Sequence, residues 1–310
     1  MSITIYKSGP LATIQDLGRK HIQHMGISSS GASDEFSFRW ANKLLANDQN
    51  CACIEITLGP FISEFTKATE ICITGAHAEC SINDVPISLW KNYRVNKGDV
   101  LHIAMAQHGL RFYLAVKQGF QTPSYFGSRS FNPRELPITP NLSTVLDGMN
   151  LDYLEVKHTN SFQQVELDEQ YIPDHQEPLE LALLSKNNFR SFSKESKSSL
   201  LSTSYKILSD SNKMAYRLSG EVIEFTGRTQ ASSGVCLGSV QIPENGQPII
   251  LLKDRQTIGG YPVIGNIASI DTFKLTQRRP GEEINFKEST IKKEEVRLRK
   301  FLTFFQSVQH

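Results

Sequence analysis

A chain of 310 residues, 39% of them hydrophobic, is long enough to bury two cores, and 33 basic against 32 acidic side chains leave a formal charge of +1. That balance excludes the basic footprint of a nucleic-acid binder or of a protein held to an anionic membrane, and leaves small molecules or proteins as partners. Five cysteines, Cys51, Cys53, Cys72, Cys80 and Cys236, lack the paired spacing of a zinc site and read as reduced thiols in strands.

The N-terminal "MSITIYKSGPLATIQDLGRK" has no apolar run of signal-peptide length, and no later run approaches the ~20 residues of a membrane span, so a cytoplasmic protein is expected. The next stretch, "TIQDLGRKHIQHMGISSSGASD", gathers Gln15, Asp16, Arg19, His24, Ser30 and Asp34 among Gly18, Gly26 and Gly31. Glycines at this density let backbone N–H groups approach a ligand while polar side chains converge from loops. His21 and His24 have helical spacing, but Gly26 and three serines follow at once, which favours a hydrogen-bonded loop histidine over a metal pair.

Helical spacing of Phe36, Trp40, Ala41, Leu44 and Leu45 predicts a helix over Asp34 to Ala46, with Ser33 as cap and Asp34 and Glu35 in its first turn. Beyond it, Ala52, Ile54, Ile56 and Leu58 alternate with Cys53, Glu55 and Thr57, which predicts a strand with one buried face and Glu55 pointing away from it. "ECSINDVPIS" reads as two strands about Asn83 and Asp84, and "YRVNKGDVLHI" as two more about Lys97 and Gly98. Leu110, Phe112, Leu114 and Val116 form a further strand, and "GSRS" sets Arg129 in a turn of small residues.

From Val156 to Glu180 the chain is polar, which divides it into domains of residues 1–175 and 176–310. Leu179, Leu181 and Leu183 then alternate, a Ser-rich stretch from Phe189 to Leu201 suggests a short helix, and Thr290 to Ser307 a last one. Between them "LLKDRQTIGGYPVIGNI" runs from a strand into Lys253, Asp254, Arg255 and Gln256, just before Gly259 and Gly260. Adjacent strand residues face opposite ways, so Asp254 and Arg255 serve one site only if the strand ends there and the glycine pair bends the chain. Many short strands and few helices predict a mainly β protein of barrel or sandwich domains. No P-loop, dinucleotide fingerprint or nucleophile elbow is present.

"GPLATIQDLGRKHIQHMGISSSGASDEFSFRWANKLL", "EITLGP", "GSRS", "DSNKMAYRL" and "QIPENGQPIILLKDRQTIGGYP" resemble the motifs of the 5-oxoprolinase C-subunit family. That family is also described as biotin-dependent carboxyltransferase or allophanate-hydrolase-subunit-2-like, and it includes KipA, the antagonist of a sensor-kinase inhibitor. The resemblance runs from Gly9 to about Thr276. It implies two cyclophilin-like β-barrel domains, homologues of the 5-oxoprolinase A- and B-subunits as partners, and ATP-dependent opening of 5-oxoproline to glutamate; the missing P-loop leaves a site for ATP and Mg²⁺ shared with the B-subunit, with the glycine-rich loops as phosphate cradle. The alternatives it implies are carboxyl transfer from carboxybiotin on a separate carrier to a urea- or amide-type nitrogen, or a non-catalytic KipA-like regulator. No lysine is flanked by methionines, so no covalent biotin is expected.

Carried over by position, the matching site residues are Asp16, Asp254 and Arg255 as catalytic, with Gln15, Arg19, His24, Asp34, Arg129, Tyr216, Arg217, Gln256, Gly259, Gly260 and Tyr261 binding substrate, and no metal ligand. Two departures stand out: "LLSKNNF" replaces a Pro-Gly turn, and Ile258 occupies the place of a second threonine. The chemistry suits the residue types. Amide resonance makes the carbonyl of urea or 5-oxoproline a poor electrophile, so arginine and amide donors must stabilise charge on oxygen while a carboxylate holds a proton. A guanidinium also fits the carboxylate of 5-oxoproline.

Overall fold

The computed structural model describes residues 2–156, 162–185, 192–227 and 231–306. The chain is mainly β and forms two compact units. The first comprises the chain up to Arg19, Ser30–Gln176 and the stretch from Phe305; the second comprises Lys20–Ser29 and Glu177–Phe304. The change of unit after Gln176 falls in the polar stretch. The excursion of Lys20–Ser29 into the second unit has no counterpart in the linear pattern.

The first unit contains β1 (Ser2–Lys7), β2 (Leu11–Gln15), α1 (Glu35–Leu44), β3 (Cys53–Thr57), β4 (Phe61–Phe65), β5 (Thr69–His77), β6 (Cys80–Ile82), β7 (Val85–Ile87), β8 (Asn92–Val95), β9 (Val100–Ile103), β10 (His108–Val116) and β11 (Asn150–Asp152). These form two antiparallel sheets, β11-β1-β4-β9-β6-β7 and β2-β3-β10-β5-β8. Ile3, Phe61 and Ile103 of the first sheet share one core with Ile54, Ile73 and Phe112 of the second. On β3 the period of two sends Ile54 and Ile56 into that core, while Cys53 and Glu55 face the other side, which α1 covers.

Asp34 caps α1, accepting from the N–H groups of Phe36 and Ser37 at 3.1 Å each. The expected cap, Ser33, instead donates its N–H and hydroxyl to Glu55 at 2.7 and 3.0 Å. The buried centre of the helix is Phe38, with Ala41, Leu44 and Leu45. Phe36 and Trp40 sit on its flank, where the Trp40 ring meets Phe305 edge to face at 5.6 Å. The apolar stripe is thus rotated toward Phe38 from the one drawn through Phe36 and Trp40.

Asn83 and Asp84 both adopt positive φ, 52° and 61°, which closes the β6–β7 hairpin as expected. The two strands expected about Lys97 and Gly98 are present as β8 and β9, but they do not pair with each other: β8 pairs with β5 and β9 with β4 and β6, so the chain turns a corner between the two sheets there.

The second unit contains β12 (Leu179–Ser185), α2 (Lys194–Ser202), β13 (Tyr205–Ile207), β14 (Ala215–Ser219), β15 (Ser233–Gly234), β16 (Ser239–Gln241), β17 (Ile249–Leu251), β18 (Ile258–Gly259), β19 (Val263–Ile267), α3 (Ser269–Leu275), β20 (Glu283–Ser289) and α4 (Ile291–Gln306) up to Phe304. Seven strands close a barrel in the order β12-β19-β16-β17-β14-β13-β20, sealed by the parallel pair β12–β20. Closure removes sheet edges, and its core includes Leu181, Leu183, Leu218, Val240, Ile250 and Ile264. Ser193 caps α2; the expected start of that helix at Phe189 lies outside the described residues, as does Ser307.

Cys53, Cys72 and Cys80 lie in strands and Cys51 and Cys236 in loops, all as free thiols. Burial pushes the Cys80 thiol up to about 12 from an ordinary 9.0, and drives Cys72 upward in the same direction. A raised folded-state value means the proton is held more tightly in the fold, so this stability is full below pH 9 and is lost as pH rises through the folded value. Both tryptophans, Trp40 and Trp90, belong to the first unit and report on it. Its unfolding free energy, from urea titrations followed by tryptophan fluorescence, should fall from about pH 9 upward at up to roughly 1.4 kcal/mol per pH unit per thiol, and Cys80→Ala should make the fall shallower.

Candidate active site

The first two polar clusters of the sequence meet at one carboxylate. Asp16 follows directly on β2 and is 1% exposed. Its Oδ1 accepts from Gly18 N–H at 2.8 Å and from the hydroxyls of Ser128 and Ser130 at 2.5 and 2.6 Å. Its Oδ2 accepts from Arg129 N–H at 2.7 Å. The carbonyl of Asp16 takes Ala32 N–H at 2.8 Å. Arg19 closes the same junction, donating to Glu135 Oε2 at 2.5 Å and to the Ser130 carbonyl at 3.0 Å. Gln15 donates to Thr13 Oγ1 and the Phe131 carbonyl.

Asp16 and Arg19 therefore tie the Gly127–Ser130 turn to the end of β2. Three donors saturate Oδ1, while Oδ2 accepts one and keeps a second lone-pair site. The N–H groups of Gly18 and Arg129 already serve this carboxylate and are not available to a phosphate. Of this junction, the Arg129 guanidinium is the part left half-buried and without a hydrogen bond or ion pair among the described residues.

Asp34 is occupied by α1, as above, and His24 lies exposed in a short 3₁₀ turn, Gln23–Met25, within the segment of the second unit. Neither joins the Asp16 junction. Sequence reasoning missed the buried network around Glu55, whose Oε2 also accepts from the Tyr113 hydroxyl at 2.8 Å and whose Oε1 lies 4.0 Å from Arg111 Nε. Burial, then the charge of Glu55, push the Tyr113 hydroxyl well up. The alternation placed Glu55 off the buried row, but only the packing of α1 makes that second face an interior.

In the second unit β17 stops at Leu251, and Leu252–Arg255 form a turn, Arg255 N–H bonding the Leu252 carbonyl at 3.3 Å. Asp254 and Arg255 thus lie beyond the strand, as the sequence requires if both serve one site. The "DSNKMAYRL" segment holds this turn by main chain: Leu252 N–H meets Met214 O at 2.7 Å and Asp254 N–H meets Lys213 O at 3.0 Å. Arg255 is 6% exposed; its Nη1 donates to Leu252 O at 3.2 Å and Ser29 Oγ at 3.3 Å, while its Nε has no acceptor among the described residues. Burial lowers its pKa from the ordinary value. Tyr216 is buried, with its hydroxyl 3.1 Å from Arg278 O, and Arg217, on the opposite face of β14, makes an exposed ion pair with Asp210 at 3.1 Å that contributes little.

Gln256, Gly259, Gly260 and Tyr261 line a cleft of about 900 Å³ together with the Val222–Gly227 and Ile242–Glu244 segments. The glycine pair is not a left-handed turn. Neither residue has positive φ, and Gly259 pairs with Ser233 in the short β15–β18 ladder. What Gly259 supplies is space: a Cβ there would stand 2.6 Å from Gln241 Nε2. Among the described residues no group of three or more His, Cys, Asp or Glu could hold a metal.

A mainly β chain with a closed barrel is a fold that known proteins share. The description "Carboxyltransferase domain, subdomain A and B" matches residues 25–288, and the chain belongs to that family, which includes the 5-oxoprolinase C-subunits. The 5-oxoprolinase C-subunits of Haemophilus influenzae and Escherichia coli are each 32% identical to it over 292 residues, spanning 93% of this chain and 91% and 92% of those proteins. Urea amidolyase of Lachancea kluyveri is 29% identical over 90% of this chain but only 16% of its own length. The crystal structure of the K. lactis urea amidolyase superposes with a TM-score of 0.88 at 20% identity, covering 100% of this chain and 20% of that one, which is a likeness of fold. No helix among the described residues is long and apolar enough to cross a membrane.

Proposed function

We propose that the chain is the C-subunit of an ATP-dependent 5-oxoprolinase, opening 5-oxoproline to L-glutamate together with homologues of the A- and B-subunits in the cytoplasm. The observation that carries this reading is the end-to-end match to two proteins of that name, covering more than nine-tenths of both partners in each alignment. The second unit supplies chemistry of the right kind. Gln256 offers an amide to a carbonyl oxygen at the cleft, Arg255 retains an Nε–H without an acceptor for an oxyanion or substrate carboxylate, and Asp254 orients the turn that carries both. Arg129 is a second available cation, in the first unit. Asp16 and Arg19 position the turn that carries it. Tyr216 and Asp34 act in the same positioning sense.

ATP and Mg²⁺ bind, on this reading, at a site shared with the B-subunit homologue. The runner-up is carboxyl transfer to an amide-type nitrogen from biotin on a separate carrier; the family description and the urea amidolyase relatives favour it. Reconstitution decides between them. The chain, co-purified with its B-subunit homologue, should release glutamate from 5-oxoproline only when the A-subunit homologue and ATP are added. Glutamate release unaffected by omitting this chain would overturn the reading, and carboxylation of urea by added carboxybiotin carrier would establish the second.

A further inference from the structure

The cleft of the second unit carries two carboxylates, Glu224 and Glu244, and no lysine or arginine among the described residues that line it. Its apolar walls include Phe225, Ile242, Pro243 and Tyr261. The two carboxylates suit a flat group that can donate N–H to them.

Beneath its floor lies a donor without an acceptor. Gln241 is 1% exposed and its Nε2 makes no hydrogen bond among the described residues, a costly state for a buried amide. The register of β16 against β19 shifts between Val240 and Gln241, a bulge of the kind that re-aims a side chain next to a site. The amide tip then occupies the space that Gly259, a lining residue of the cleft, leaves by having no Cβ. Over it sits β18, two residues long and paired, among the described residues, with Ser233 and Gly234, with Ile258 61% and Tyr261 50% exposed. A ladder so short and so solvated opens at small cost.

We propose that this cleft receives the amide edge of the substrate, a neutral lactam N–H–C=O unit. The carbonyl oxygen accepts from Gln241 Nε2 when the β18 segment moves aside, the lactam N–H faces Glu224 and Glu244, and the substrate carboxylate points out of the cleft. This names the subsite and rests on the lactam-opening reading above.

The test uses 2-pyrrolidinone, a lactam without a carboxylate, titrated into the ¹⁵N-labelled full chain. The expected result is saturable shifts at Gly259, Gly260 and one glutamine side-chain amide. Cyclopentanone, which lacks the N–H, should give weaker shifts. Gln241→Leu and Gly259→Ala, whose Cβ would stand 2.6 Å from Gln241 Nε2, should each weaken binding by tenfold or more. Absence of pyrrolidinone shifts at the cleft of the wild-type chain, or binding indifferent to both Gln241→Leu and Gly259→Ala, overturns the proposal whatever the complex does. Lactam binding at the cleft with no 5-oxoproline opening by the complex instead refutes the reading and leaves the subsite standing.

Discussion

Asp16→Ala is expected to lower the stability of the first unit by about 4 kcal/mol, because it strips one buried carboxylate from four donors at once. The Ser128 and Ser130 hydroxyls and the N–H groups of Gly18 and Arg129 would be left without their acceptor. Water cannot easily replace it at a site only 1% exposed. Arg19 would lose its alignment as well, since its bond to the Ser130 carbonyl depends on the same turn. Urea unfolding followed by tryptophan fluorescence reads this directly, both tryptophans lying in the affected unit. A wild-type midpoint combined with lost turnover in the complex would reverse the assignment and make Asp16 a chemical participant.

Arg255→Lys is expected to lower 5-oxoproline turnover of the reconstituted complex by tenfold or more, about 1.4 kcal/mol or greater in transition-state terms, with a nearly unchanged circular-dichroism melt. The guanidinium reaches Ser29 and Leu252 with one nitrogen and has Nε–H left over; an ammonium has no fork with which to do both. Burial adds a second loss. It already lowers the pKa of Arg255, and a lysine in that position would give up its proton far more readily, so the defect should deepen as the pH is raised. Wild-type turnover in Arg255→Lys would reduce Arg255 to a pin for the turn and direct attention to Arg129.

Local pattern was enough for much of this protein. Alternation in Ala52 to Leu58, the Asn83-Asp84 hairpin and the strand end before Asp254 are properties of a few neighbouring residues, and each appears in the structure where the pattern puts it. The residues that carry the Asp16 junction and the Arg255 turn were visible as polar clusters rich in glycine. Their partners were not, because hydrogen bonds such as Asp16 to Ser130 join positions 114 residues apart, and no local period encodes which serine a carboxylate will meet. Packing also decided which faces are interior: Glu55 is buried only because α1 lies on it, and Lys97-Gly98 is a corner because the strands on either side pair into different sheets. Gly259 shows the same division. Its presence invites a turn by local rules, yet its reason is steric, set by an amide from another strand of the barrel at the place where a Cβ would be.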